Sequence, residues 1–304
     1  MRTCTISRWL AVLVVSTTYG SNAGSQLPSS KIASSQSDRV CEQAEATAPN
    51  VMIDGVPADR PITETVEVEG RKLSFRLLHE ELQLTYVHGI IDADEVAALV
   101  HMAEKRGGFI RSPLRKQGGG DISEDDRRNS SSCPMIWPLV YRDKWESLAS
   151  NPDVLAELEL ATKISSRVAA MFAASGVDVN IEFIEPLQLV RYQASERFGP
   201  HHDYHATGES SVQGEQRAFT FLLFGSTLPP GQGGETHFPH LGVSVSPTLG
   251  DGLVWANVDG EGEPNERSLH EGRPPLTGEK IAINVWIADQ AFSVGKGMSA
   301  AVVT

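Results

Sequence analysis

Positive charge is scarce in this chain. Lys and Arg total 26 against 39 Asp and Glu, for a formal net charge of −13. A broad nucleic-acid surface needs clustered cations to release counterions from phosphates, so the balance argues against nucleic acid as a partner. Long apolar runs are missing too. None approaches the roughly 20 residues a membrane-crossing helix requires, and no integral membrane span is expected. Cysteine is limited to three residues, with no CxxC or comparable His/Cys spacing, which removes a zinc framework. No internal repeat is present. What remains is ordinary globular material: 304 residues, 40% hydrophobic and 21% charged, enough for one large domain or two small ones.

The N-terminus reads as a targeting segment. Arg2 and Arg8 precede the short apolar run Trp9 to Val15, and Ser21-Asn22-Ala23 supplies small residues for cleavage. Residues 1–23 are therefore expected to be a signal peptide, which directs the chain to the secretory pathway (the endoplasmic reticulum lumen) or out of the cell. Cys4 falls inside that segment; in an oxidising compartment Cys41 and Cys133 are then candidates to pair. Asn129-Ser130-Ser131 is a formal glycosylation sequon. Residues 24–62 are rich in Ser, Ala, Gln and Pro without sustained periodicity, the signature of a flexible leader.

Residues 66–78 and 82–87 carry β-branched and apolar residues bounded by polar ones and predict strands. Asp92-Ala93-Asp94-Glu95 has the spacing of a capping box, and Val96, Leu99, Val100 and Ala103 follow at helical intervals, predicting a helix over 93–106 that Gly107-Gly108 stops. Residues 112–135 read as one long loop. Asn151-Pro152 opens a second helix with an apolar stripe through Leu155, Leu158, Ala161, Ile164, Val168 and Met171. Beyond Gly176 the pattern changes to short strands over 181–192, 218–224, 241–245, 252–255 and 280–287, punctuated by turn residues. The class is mainly β with flanking helices (α+β), an antiparallel sandwich or barrel following two packing helices. Residues 63–180 read as the supporting region, 181–290 as the catalytic β region and 291–304 as a tail.

Chemistry concentrates in the β half. Six of nine His residues lie there: His201, His202, His205, His237, His240 and His270. In Pro200-His201-His202-Asp203-Tyr204, alternate strand residues share a face, so His201 and Asp203 converge while His202 points away. One imidazole, one carboxylate and a second His from a distant strand make the facial set that holds Fe(II) and leaves positions open for a chelating co-substrate and O2. An H-x-D alone is weak. His270 strengthens it, because Lys280 stands ten positions on, across a Pro/Gly turn. A cation there suits the far carboxylate of a dicarboxylate whose other end chelates the metal. His205 shares parity with His201 and Asp203, yet three ligands along one strand span about 13 Å, too extended for facial ligation. His237 and His240 are rivals to His270 but lack the lysine.

The stretch from Glu185 to Ile287 resembles the prolyl 4-hydroxylase family of Fe(II)/2-oxoglutarate dioxygenases. The matching text is Glu185-Pro186-Leu187-Gln188-Leu189-Val190-Arg191-Tyr192, Phe198-Gly199-Pro200-His201-His202-Asp203-Tyr204, Arg217-Ala218-Phe219-Thr220, Gly233-Gly234-Glu235-Thr236-His237-Phe238-Pro239, Gly250-Asp251-Gly252, and Ser268-Leu269-His270-Glu271-Gly272-Arg273-Pro274 through Gly278-Glu279-Lys280 to Trp286. Arg128-Asn129-Ser130-Ser131 is similar to an Arg-Thr-Ser element of the family. The resemblance implies a double-stranded β-helix (jelly-roll, cupin-like) core, with His201, Asp203 and His270 on iron and Lys280 on the distal carboxylate of 2-oxoglutarate. It also implies that Tyr192 and Thr236 hydrogen-bond that co-substrate and that ascorbate serves as reductant; Arg217 is either a substrate contact or a surface base, and Trp286 either a pocket aromatic against substrate or plain core.

Three departures bear on the substrate. Phe198 stands where many members have Tyr, Arg273 where Cys is frequent, and Pro275 where a branched aliphatic is usual. Asp203 separates the chain from halogenating relatives, which carry a small residue there. The expected activity is hydroxylation of a substrate C–H with release of succinate and CO2, the substrate being a proline-containing peptide or protein. A hydroxylase of a free amino acid or small molecule, and a metal-free β-sandwich binding module, are the alternatives.

Overall fold

The computed structural model describes residues 64–112, 128–141, 148, 150–205 and 214–293. The expected signal peptide and leader, with Cys41, lie outside the described residues, as do most of the 112–135 segment and the tail beyond residue 293, while Phe292 packs edge-on against Trp137.

Thirteen strands form two sheets among the described residues. They are β1 (Glu64–Val68), β2 (Arg71–His79), β3 (Leu84–His88), β4 (Ile110–Arg111), β5 (Ser131–Pro134), β6 (Gln188–Tyr192), β7 (Phe198–His201), β8 (Arg217–Phe224), β9 (Thr236–Phe238), β10 (Val243–Val245), β11 (Gly252–Ala256), β12 (His270–Gly272) and β13 (Lys280–Ala288). The major sheet runs β1-β2-β3-β11-β8-β13-β6-β5-β4 and the minor one β10-β9-β12-β7, with antiparallel pairing throughout. From β6 to β13 the chain alternates between sheets, with β9 and β10 forming a hairpin at the midpoint. That winding is a double-stranded β-helix, the core expected above.

Both faces of the major sheet are buried, which explains why its central strands read as continuous apolar runs. Along β8, Phe219, Phe221 and Leu223 join the cluster beneath the helices, while Leu222 and Phe224 join the cluster between the sheets. β13 divides likewise: Ile281, Ile283, Val285 and Ile287 face the helices. Period-two alternation therefore turns Thr220, Lys280 and Trp286 toward the interior between the sheets.

The helical layer is α1 (Ala93–Lys105), the single turn α2 (Pro138–Tyr141) and α3 (Pro152–Ala174). Asp92 and Glu95 form the expected capping box, and Asn151 caps α3 by accepting from the Val154 N–H, with Pro152 in the first turn. Leu99, Ile164, Val168 and Phe172 pack onto the sheet. Between the helices, Glu95 accepts from Arg167 at 2.8 and 2.9 Å and pairs with Lys163 at 2.9 Å and Arg71 at 3.2 Å.

The structure corrects three expectations. Residues 66–78 are not one strand, because Glu69 and Gly70 both adopt positive φ (51° and 74°) and turn the chain into a β1–β2 hairpin. Residues 181–183 are a one-turn 3-10 helix capped by Asn180, so the strand begins at Gln188. The stretch read as loop contains β5, whose Ser131, Ser132 and Cys133 pair with Arg191, Val190 and Leu189; two serines hid it from an apolar-pattern reading. Cys133 is a fully buried thiol approached by Arg106 at 3.1 Å, and its candidate partner Cys41 lies outside the described residues. Strands from the supporting region also share the major sheet with the catalytic strands, since β3 pairs with β11 and β5 with β6.

Candidate metal and co-substrate site

The minor sheet brings two distant histidines face to face. His201 closes β7 and His270 opens β12, and the β7–β12 register makes them direct cross-strand partners. Asp203 lies in the bend just after β7, beyond the strand end rather than on it. One ligand atom from each of the three residues fits within 4.8 Å of the others. The Asp203 oxygens stand 3.8 Å from His201 Nε2 and 3.7 Å from His270 Nε2, beyond hydrogen-bond range.

Tautomer follows from the backbone. His201 Nδ1 lies 2.9 Å from the Gly199 carbonyl and His270 Nδ1 2.9 Å from the Ser268 carbonyl. A carbonyl only accepts, so each Nδ1 carries a proton and each Nε2 is the ring atom left facing Asp203. Packing fixes the ring planes: Phe198 stacks on His201 at 3.5 Å, and Trp255 meets His270 edge-on at 4.7 Å. Burial, and then the neighbouring His270, holds His201 neutral with a pKa down at about 3. Burial acts to raise Asp203, but His270, His201, Arg217 and Thr220 together outweigh it and hold its carboxyl at about 2. Two imidazoles held through Nδ1 and one ionised carboxylate are the donor set of an iron(II) facial site.

Beside the triad lies a buried cation with no ion pair among the described residues. Lys280 is 2% exposed, opens β13 opposite Tyr192, and reaches only the Thr236 hydroxyl, at 3.5 Å. Its ammonium stands 5.3 Å over the Tyr192 ring. Burial pushes its pKa down to about 8 despite Glu235. Gly272, on the same face of β12 as His270, leaves room for the Tyr192 hydroxyl, since a Cβ there would lie 3.2 Å from that oxygen. Tyr192, Thr236 and Lys280 thus share one pocket a single strand step from His270.

Arg217 is engaged from three sides. It donates to both Glu185 oxygens at 2.7 and 2.8 Å, lies 3.6 Å over the Trp286 ring and reaches the Asp203 carbonyl at 3.5 Å. Trp286 keeps its Nε1–H buried without a hydrogen-bond partner. The rival histidines stay outside the cluster. His237 Nδ1 meets Ser244 at 2.8 Å, His240 Nδ1 meets the Glu266 carbonyl at 2.8 Å, and the His205 N–H donates to Gln216. His202 turns away toward Ser268 and Glu266, as strand parity predicted.

Residue types at a spacing left several contributors unseen. Arg128, quoted above only within a resemblance, is a buried guanidinium 4.3 Å over the Phe198 ring, with burial lowering its pKa. Thr220 donates to Asp203 Oδ2 at 2.7 Å, and Asn257 donates to Thr220. These contacts depend on strand register, which no local pattern encodes.

Residues 187–288 match the family model of the 2OG-Fe(II) oxygenase superfamily. Within that superfamily the likeness is to the prolyl 4-hydroxylases. Prolyl 4-hydroxylase 1 of Arabidopsis thaliana is 33% identical over 122 residues, covering 36% of this chain and 42% of that protein. The human prolyl 4-hydroxylase subunit alpha-3 is 34% identical over 128 residues, covering 41% of this chain and 22% of the relative. The matched stretch therefore spans less than half the length of these curated relatives. Among solved structures, the viral collagen prolyl hydroxylase of Paramecium Bursaria Chlorella virus-1 aligns with a TM-score of 0.49 at 22% identity, covering 67% of this chain and 95% of that one.

Proposed function

We propose that the chain is an iron(II)- and 2-oxoglutarate-dependent dioxygenase that hydroxylates a peptidyl proline. The reading rests above all on three ligand atoms converging within 4.8 Å beside a buried, unneutralised ammonium. His201, Asp203 and His270 would hold the iron, and Lys280, Tyr192 and Thr236 the distal carboxylate of 2-oxoglutarate. Bound together with O2, these groups supply oxidation of a substrate C–H to C–OH coupled to conversion of 2-oxoglutarate into succinate and CO2.

The chain's own residues do the rest. The two Nδ1–H to carbonyl bonds keep both imidazoles presenting Nε2 without any rearrangement. Burial strips water from Lys280, so a carboxylate is the partner that restores its lost solvation. Glu185 orients Arg217, which stacks on Trp286 and reaches the Asp203 carbonyl, and the indole N–H, without a partner among the described residues, would offer a donor to a substrate carbonyl. Peptide rather than free amino acid is supported by the similarity to prolyl 4-hydroxylases. Secretory localisation is proposed on the N-terminal sequence alone, and ascorbate as reductant on the family resemblance alone. Among the described residues no helix is long and apolar enough to cross a membrane.

Succinate release measured with a panel of proline-rich peptides, with free proline and with no addition tests the proposal. Peptide-stimulated release that disappears with chelator is the expected result. Stimulation by free proline alone would move the assignment to an amino-acid hydroxylase, and no turnover with any of them would leave a binding module.

A further inference from the structure

Behind Asp203 runs a chain of buried hydrogen bonds whose direction is fixed from one end. Trp255 Nε1 lies 3.0 Å from Asn257 Oδ1, Asn257 Nδ2 lies 2.8 Å from Thr220 Oγ1, and Thr220 Oγ1 lies 2.7 Å from Asp203 Oδ2. Trp255, Asn257 and Thr220 are all 0% exposed, so no water competes for these groups. An indole N–H can only donate, so the amide oxygen of Asn257 must face it and the amide nitrogen must face Thr220. Thr220 has one hydroxyl hydrogen. With its oxygen already accepting from Asn257, that hydrogen goes to Asp203.

We propose that Trp255, Asn257 and Thr220 form a one-way relay that reserves one carboxylate oxygen of Asp203, leaving it a single-oxygen metal ligand. With Oδ2 engaged by Thr220, Oδ1 would be the oxygen left to hold an ion. All three are positioning residues: none reaches the ion, and each acts through Asp203. The inference rests on the iron site proposed above. Its sequence trace is slight, since Trp255, Asn257 and Thr220 become neighbours only because β8 pairs with β11.

Binding of Co(II) to the metal-free full chain, followed by its visible absorption, separates this idea from the site itself. Parent protein should bind Co(II), and His270→Ala should abolish that binding; failure of either would sink the iron site rather than the relay. Thr220→Val should weaken Co(II) binding by roughly 10- to 100-fold and alter its spectrum, and Thr220→Ser should restore both. Asn257→Asp keeps the side-chain shape but turns the donor facing Thr220 into an acceptor, drawing the Thr220 hydrogen away from Asp203. It should therefore reproduce Thr220→Val, and it carries the test if the valine variant does not fold. Parent-like affinity and spectrum in both Thr220→Val and Asn257→Asp would overturn the relay. So would failure of Thr220→Ser to restore binding, because the loss would then belong to packing.

Discussion

Buried charge is handled in opposite ways on the two faces of the major sheet. On the helix side, Glu95 is surrounded by Arg167, Lys163 and Arg71, and Arg167 further donates to the Ile90 carbonyl. On the inner side, Lys280 and Arg128 are buried with no ion pair among the described residues. A charge removed from water without a partner costs several kcal/mol. The first cluster is complete and holds two helices together. The second leaves its cations without an ion pair among the described residues, as the proposed iron and 2-oxoglutarate site requires.

Removing a ligand from the inner cluster should have the largest effect. His201→Ala and His270→Ala are each expected to abolish metal binding and succinate release while far-UV circular dichroism stays that of the parent. On the helix side the loss should instead be one of stability. Glu95→Ala strands Arg167 in the interior and should cost about 3–5 kcal/mol in denaturant unfolding, with turnover per folded molecule kept.

Acidity sharpens the contrast. Burial alone would raise Glu95, but Arg167 and Lys163 bring its pKa from 4.5 to about 2. Its contribution, about 3 kcal/mol, is present above pH 4.5 and lost as pH falls toward 2. Lys280 has the opposite sign. Its folded pKa of about 8 lies below the ordinary 10.5, so the unfolded chain binds the extra proton between those values. The resulting penalty, about 3 kcal/mol, is in force below pH 8 and relieved as pH climbs to 10.5. Unfolding free energy of the metal-free protein should accordingly fall at the acid end and recover a lysine term at the alkaline end.

Lys280→Met should separate function from stability in one variant. The metal-free chain should unfold at higher temperature near pH 7, because an unpaired buried charge is gone. Meanwhile kcat/KM for 2-oxoglutarate should drop by roughly 30-fold or more, the loss of a buried charge partner. In the parent, the same constant should decline as pH rises through about 8, where the free lysine loses its proton. A methionine variant that keeps parent kcat/KM would remove Lys280 from co-substrate binding. The smallest effect belongs to the exposed Lys105–Asp153 pair at 2.6 Å, with side chains 55% and 63% exposed. Lys105→Ala should change stability by less than about 1 kcal/mol.

Legibility in the sequence followed the locality of each signal. The capping box at Asp92 and Glu95 and the Asn151-Pro152 helix start are written within four residues, and both appear as read. Strands β8, β11 and β13 carry enough apolar residues to announce themselves. β5, β7, β9 and β12 do not. They are three or four residues long, and they hold Ser, His, Gly and Pro where a packed strand would hold Val or Ile. That is the composition of strands whose side chains serve a site, and it hides them from periodicity. The hairpin turn at Glu69-Gly70 was missed for another reason: the flanking apolar pattern continues through it.

The sequence alone determined which residue types can do the chemistry: two imidazoles, a carboxylate and a lysine, each in a short motif of residues matching the resemblance quoted for it. Tertiary structure decided what those motifs become together. Pairing of β7 with β12 sets His201 across from His270, pairing of β13 with β6 sets Lys280 across from Tyr192, and burial leaves that lysine uncompensated. Register and exclusion of water are properties of segments far apart in the chain, so no local string of residues contains them.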